Sequence, residues 1–321
     1  MTRPATLSDT PGAALAPAHV GLPTLVGRPL LLAVDDEAAS HSAIRIAARL
    51  ADAFGAALHV VRAVAPTIGA YEADGDSAVR ARAARAVRTS LAASLGGAQA
   101  WPVHVDAGTP AGAIARRAAE LDAALIVMGL RRHGALHRVL HDETTLHVMR
   151  VSGCPALGVA PGLDELPRHV VVGVDFGRAA QRAAYAALPL LAAGGTLDLV
   201  HVETPADEDD ETSAEAGSER VVYAAGVDAA FDRLITDLAA PPHVRVRGIR
   251  LGGTSPRGVA EELLAYAAPA AVDLIAIGSR RHDLLDRLLL GSVTQSLARD
   301  GRCSLLVVPP APSPGTRRLD V

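Results

Sequence analysis

The sequence predicts an α/β protein: two tandem, doubly wound units, each built on a five-stranded parallel sheet. Short apolar, β-branched runs alternate with helical patterns, the order that βαβ crossovers and a sheet covered on both faces require. That order is then repeated, with Asp35 matched by Asp175, His59 by His201, Gly129 by Gly278 and Cys154 by Cys303. At 321 residues the chain has room for two domains. A repeat this long is a duplicated domain, because solenoid periods run roughly 20–50 residues.

The first unit begins at Pro29. Leu30 to Val34 reads as a buried strand ending at Asp35-Asp36. From Ser40 to Phe54, Ile44, Ala47, Ala48 and Ala51 recur at helical spacing, and Gly55 stops the helix. Leu58 to Val64 is a second strand, and an Ala/Arg-rich helix from Asp76 to Leu95 ends at Gly96-Gly97. Trp101 to Val105 is a third strand, followed by a helix from Thr109-Pro110 to Leu121. Leu125 to Met128 is a fourth strand ending at Gly129. A helix around Glu143 to Arg150 and a strand from Ala156 to Ala160 complete the unit.

The second unit follows the same order. His169 to Val174 is a strand ending at Asp175, and a helix from Arg178 to Leu191 stops at Gly194-Gly195. Leu197 to Val202 is the second strand. An acidic stretch, Glu203 to Glu219, leads into a helix ending at Leu238. Val244 to Ile249 is the third strand, and Gly253-Thr254-Ser255-Pro256 opens the next helix. Val272 to Ile277 and Ser304 to Val308 are the last two strands. The predicted divisions are an unstructured arm (1–28), a first domain (29–161), a second domain (168–310) and a tail (311–321).

Composition narrows the function. A net charge of −4 argues against the concentrated basic face that nucleic acid needs. Three Phe, four Tyr and one Trp leave little for base-stacking platforms. Two cysteines, Cys154 and Cys303, cannot form a disulfide framework and read as small buried hydrophobes in a reducing compartment. No run of about 18 residues is apolar and free of charge, so no membrane span is expected. The start lacks a signal peptide's apolar core, and the expected location is cytoplasmic.

The chemistry concentrates between the last two strands. Gly278 and Ser279 end a buried strand, and Gly291-Ser292 opens a helical pattern carrying Val293, Leu297 and Ala298. Gly291 lets backbone approach a ligand, and Ser292 and Thr294 place hydroxyls at a helix start. There, free N–H groups and the positive dipole end favour an anion. Neither a Walker loop nor GxGxxG is present. A doubly wound sheet binds ligands where strand order reverses, beside its first and fourth strands, and this rule selects the ends at Asp175 and Gly278.

This stretch resembles the nucleotide signature of the universal stress protein family, Gly-x2-Gly-x9-Gly-Ser/Thr. Gly278, nine residues from 282 to 290, and Gly291-Ser292 fit it, with Arg281 in place of the second glycine. The resemblance covers both halves, roughly 29–161 and 168–310. Val34-Asp35 and Val174-Asp175 match the family's first-strand ends, and His59-Val60 and His201-Val202 its second strands. It implies a Rossmann-like fold and a cytoplasmic, nucleotide-dependent stress-response protein binding ATP, ADP or AMP, with Mg2+ as an accompanying ion. Carried over by position, the site comprises Gly173, Val174, Asp175, Val202, Ile277, Gly278, Arg280, Gly291, Ser292, Val293 and Thr294. Asp175 would accept from a ribose hydroxyl or an adenine amine. The resemblance further implies that the halves pair through their fifth strands as an intramolecular pseudo-dimer, with whole chains able to dimerise.

The first half departs further, with Arg132 at the second glycine and Asp142-Glu143 in place of Gly-Ser. Two carboxylates would repel phosphate, so this half reads as a structural copy. His133, His137, His141 and His147 read as a solvated face, and Asp207 to Glu211 as a solvated loop. No nucleophile–base pair stands at a strand end, so no catalytic residue and no metal ligand is assigned. Slow ATP hydrolysis is implied by resemblance alone. The competing reading is a nucleotide-free stress protein acting through protein–protein contacts.

Overall fold

The computed structural model describes residues 24–35, 39–65, 73–130, 142–203, 214–252, 258–279 and 291–311. The first half contains β1 (Leu30–Ala33), α1 (Ala39–Phe54), β2 (Leu58–Val64), α2 (Ala73–Leu95) and β3 (Val103–Ala107). It continues with α3 (Pro110–Glu120), β4 (Leu125–Gly129), α4 (Asp142–Val151) and β5 (Ala156–Val159). The second half contains β6 (His169–Gly173), α5 (Arg178–Ala187), β7 (Thr196–Val202), α6 (Ala214–Leu238) and β8 (Arg245–Leu251). It closes with α7 (Val259–Ala267), β9 (Leu274–Gly278), α8 (Ser292–Asp300) and β10 (Ser304–Val308).

All ten strands join one sheet in the order β3-β2-β1-β4-β5-β10-β9-β6-β7-β8. Within each half every neighbour pair is parallel. The order reverses between β1 and β4 and again between β6 and β9, which makes each half doubly wound. The halves meet through an antiparallel pair, with Leu305 opposite Gly158 and Val307 opposite Ala156. At that seam the buried Ser304 hydroxyl accepts the Ala160 N–H at 3.0 Å.

Central strands are apolar on both faces because helices cover both. Leu30, Leu32, Val170 and Val172 face α1, α2, α5 and α6, whereas Leu31, Val171 and Ile275 face α3, α4, α7 and α8. The chain between the halves is pinned to α1. Ser42 accepts the Gly162 N–H and donates to Asp164, and Arg45 donates to the same carboxylate.

The edge strands account for most differences from expectation. β3 and β8 each begin and end later than their apolar patterns suggest, because an edge strand is half exposed and its hydrophobic signal is weak. The helix expected to reach Leu191 is α-helical only to Ala187, and Leu188–Leu190 is a 3₁₀ turn containing Pro189. Proline removes the N–H that a continuing α-helix would use.

Register also corrects one landmark of the repeat. Leu31 lies opposite His59, and Val171, its counterpart in the second half, lies opposite Asp198. His59 therefore occupies the position of Asp198, and the position of His201 is held by Arg62. His59 and His201 lie on opposite faces of the sheet, since successive strand residues alternate. The shared His-Val dipeptide is not a structural match between the halves.

Candidate functional site

The sheet places the C-terminal ends of β6 and β9 side by side, with β7 next to β6. A cavity of about 410 Å³ opens there. Ten of the eleven residues selected from the sequence line it: Gly173, Val174, Asp175, Val202, Ile277, Gly278, Gly291, Ser292, Val293 and Thr294. Arg280 lies outside the described residues, as do Arg281, Arg132, His133, His137, His141 and the run 207–211.

The floor is apolar: Val200, Val202, Leu263 and Ile277. Gly173 keeps it open, because a Cβ there would stand 3.3 Å from Leu263 Cδ1 and 3.4 Å from Ile277 Cγ2. Gly278 is needed for a different reason than phosphate approach. A Cβ at Gly278 would lie 2.1 Å from the Ala179 carbonyl oxygen, so glycine is what lets α5 start against β9. Gly291 is the N-cap of α8 with extended backbone, makes no side-chain cap, and has nothing within 4 Å of a would-be Cβ. Thr294, one turn in, is 4 % exposed. The first N–H groups of α8 and its positive dipole end sit at this wall.

The turn from β6 to α5 carries the site's carboxylate. Asp175 Oδ1 accepts the Gly177 N–H at 3.0 Å, and Phe176 between them is left-handed, with φ of 59°. Among the described lining residues Asp175 is the one with a formal charge. Sequence reasoning missed the rest of the lining: Ala179, Ala180, Val200, His201, Val259, Leu263 and Ser279. Ser279 was visible as the residue after the strand-ending glycine, and His201 as the neighbour of Val202. The alanines and α7 residues carry no signal that sets them apart from ordinary core.

In the first half the corresponding described positions carry different side chains. Leu130 N–H donates to Val159 O at 2.8 Å just as Ser279 N–H donates to Val308 O at 2.8 Å, so the two residues correspond. Leu130 is buried, and a Cβ at Gly158 would meet Met149 Cε at 3.3 Å and Leu130 Cδ1 at 3.4 Å. Asp35, the counterpart of Asp175, accepts a hydrogen bond of 2.8 Å from the buried Ser40 hydroxyl. Ala180 stands where Ser40 does and has no hydroxyl to offer. α4 starts at Asp142, as the helix-start reading of Asp142-Glu143 expects.

Two polar clusters lie under the α3 and α7 face, near the opposite strand ends. In the second half the fully buried Asp198 receives His169 Nε2 at 2.6 Å, Arg247 through two bonds of 2.7 Å and Tyr266 Oη at 2.9 Å. Burial pushes its carboxyl up, and the bonds from Arg247, His169 and Tyr266 outweigh burial and hold it below the usual carboxylate range. In the first half His59 Nδ1 and His104 Nε2 stand 3.0 Å apart beside an Arg117–Asp106 ion pair. Burial, reinforced by the Arg117 guanidinium, holds both imidazoles below their ordinary value. Cys154 and Cys303 form no disulfide, and burial pushes the Cys154 thiol up to about 12. Among the described residues no three metal-ligating side chains gather, and no helix is long and apolar enough to cross a membrane.

Fold and cavity define a tandem α/β protein with a ligand-sized crevice at the switch point of its second sheet. The chain belongs to the universal stress protein family, whose model matches it twice, over residues 27–159 and 167–309. No curated protein matches it. Among solved structures, a universal stress protein from Archaeoglobus fulgidus DSM 4304 is 20% identical, with a TM-score of 0.60. That match covers 88% of this chain and 98% of the other. A protein of unknown function from Pseudomonas aeruginosa PAO1 is 14% identical with a TM-score of 0.55, covering 89% of this chain and 94% of its own. At these identities the likeness is one of fold.

Proposed function

We propose that the second-half cavity binds an adenine nucleotide, ATP or its di- or monophosphate, and that the protein acts in the cytoplasm as a nucleotide-dependent regulator of a stress response. One observation carries this reading: ten residues carried over from the family resemblance line one cavity of about 410 Å³ at the switch point. The residues suit the ligand. The apolar floor suits a base, Asp175 suits a ribose hydroxyl, and the uncapped start of α8 suits phosphate. Mg2+ would arrive with the phosphates, held also by the oxygens of Asp175, Ser292 and Thr294. The first half (29–161) serves as a structural partner to the second (168–310), joined to it through the fifth strands.

The test is to purify the protein without added nucleotide, denature it and quantify released adenine nucleotide, then titrate ATP by calorimetry. Gly291→Asp is run beside it, at a position where a Cβ meets nothing within 4 Å, with a thermal melt to show that the variant is folded. Close to one nucleotide per chain, abolished in the variant, is the expected result. No released nucleotide and no heat on adding ATP would overturn the reading and leave a stress protein acting through its surfaces.

A further inference from the structure

His201 does more than line the cavity. Its Nδ1 lies 2.9 Å from the Val174 carbonyl oxygen, which can only accept, so Nδ1 carries a proton and donates. The other ring nitrogen, Nε2, lies 3.0 Å from the Tyr223 hydroxyl. The ring also packs against Phe176 at a centroid distance of 5.1 Å, and Phe176 meets Phe231 edge-on at 5.0 Å. Val174 and Phe176 flank Asp175. One imidazole thus holds the residues on both sides of the cavity's carboxylate.

The turn it holds is strained. Phe176 has a positive φ, a conformation costing a non-glycine residue on the order of 1 kcal/mol unless its surroundings impose it. The Gly177 N–H on Asp175 Oδ1 supplies part of that restraint from within the turn. His201 and Phe231 supply the rest from β7 and α6. In the first half register puts Arg62 at this position, and the Ser40 hydroxyl of α1 donates to the Asp35 carboxylate.

We infer that His201 is a positioning residue, which aims the Asp175 carboxylate into the cavity by fixing the Val174–Gly177 turn, and that Tyr223 of α6 sets the His201 ring. This inference rests on the nucleotide reading for its ligand. Its geometric part stands on the free protein. Tyr223 is 52 % exposed and does not line the cavity, so its influence on a ligand passes through His201.

The experiment has two arms on the full chain. In the absence of ligand, amide hydrogen exchange is followed at Phe176 and Gly177 in wild type, His201→Leu, His201→Asn and Tyr223→Phe. Leucine removes both polar contacts, whereas asparagine keeps a donor near the Nδ1 position. Exchange at Gly177 should quicken in His201→Leu, return toward wild type in His201→Asn, and change least in Tyr223→Phe. Calorimetry with ATP should then show the same order, with His201→Leu weaker by about tenfold, the scale of one lost hydrogen bond. Unchanged exchange in His201→Leu overturns the inference whatever ATP does. Altered exchange with unaltered ATP affinity also overturns it, since the turn would then not serve the ligand. Altered exchange in a wild-type background that binds no ATP removes the nucleotide reading and keeps His201 as the residue that fixes the turn.

Discussion

The two halves share a strand order and a register, yet the side chains at corresponding places by their switch points differ: the second half lines a cavity with Ala180, Ser279, Gly291 and Ser292, and the first carries other residues there. Three exchanges make the difference. Ser279 gives way to Leu130, which is buried beside Met149 and Gly158. Ala180 gives way to Ser40, which takes up the carboxylate that the second half turns with a backbone N–H. Gly291-Ser292 gives way to Asp142-Glu143 at the helix start. A doubled fold can therefore carry different side chains at its two switch points with no change of backbone plan.

The sharpest way to press that comparison is to truncate Leu130. Leu130→Ala should cost about 3 kcal/mol in a urea unfolding experiment, because a buried leucine packed beside Met149 and Gly158 leaves a void. An effect near zero would mean that the packing around Leu130 contributes little to the first half. Gly278→Ala comes next, at about 2 kcal/mol, since its Cβ would drive into backbone and not into a side chain that can move. If ATP affinity fell while stability held, Gly278 would belong to the ligand site and not to the α5–β9 contact. Asp198→Asn follows, at about 2 kcal/mol, through the charge-assisted bonds it loses.

The pH dependence separates the halves more gently. Asp198 has a depressed carboxyl, so its contribution is complete above the unfolded value near 3.8 and is lost as pH falls through the lower folded value. His59 and His104 are depressed imidazoles, so the unfolded chain binds more protons than the folded one below about 6.5. Stability from the first half should thus begin to fall below that pH, well before the second half's acid limit. Double replacement of His59 and His104 by Gln should flatten the melting temperature between pH 5 and 7 (roughly the imidazole range). A profile equally steep in the variant would assign the dependence elsewhere.

Much of this was legible in the chain. The central strands are buried on both faces, so their apolar runs are unbroken and their ends fall close to where pattern places them. β3 and β8 blur because solvent touches one side and lets Arg245, Arg247 and Arg250 into the strand. The His-Val pair misled because a dipeptide carries no register, and a strand shifted in register by one residue turns the opposite face. The residues that line the cavity were legible because topology alone brings the ends of β6 and β9 together. The contacts of His201 were not, since one of them is to a tyrosine that α6 brings back from 22 residues further along. Asp198, an acid inside an apolar strand, was a visible signal that only tertiary partners could interpret.

The antiparallel seam between β5 and β10 has a consequence for the making of the chain. β5 ends at Val159 and its partner begins at Ser304, so 144 residues (160–303) lie between the two. At roughly 5–20 residues per second, a ribosome takes about 7–30 seconds to supply that partner. Throughout that interval a finished first half presents a bare, fully apolar strand edge, the kind of template to which another nascent chain can add. Neighbouring ribosomes on one message would hold such edges close together, so this protein's yield depends on its second half arriving before a neighbour's first half does.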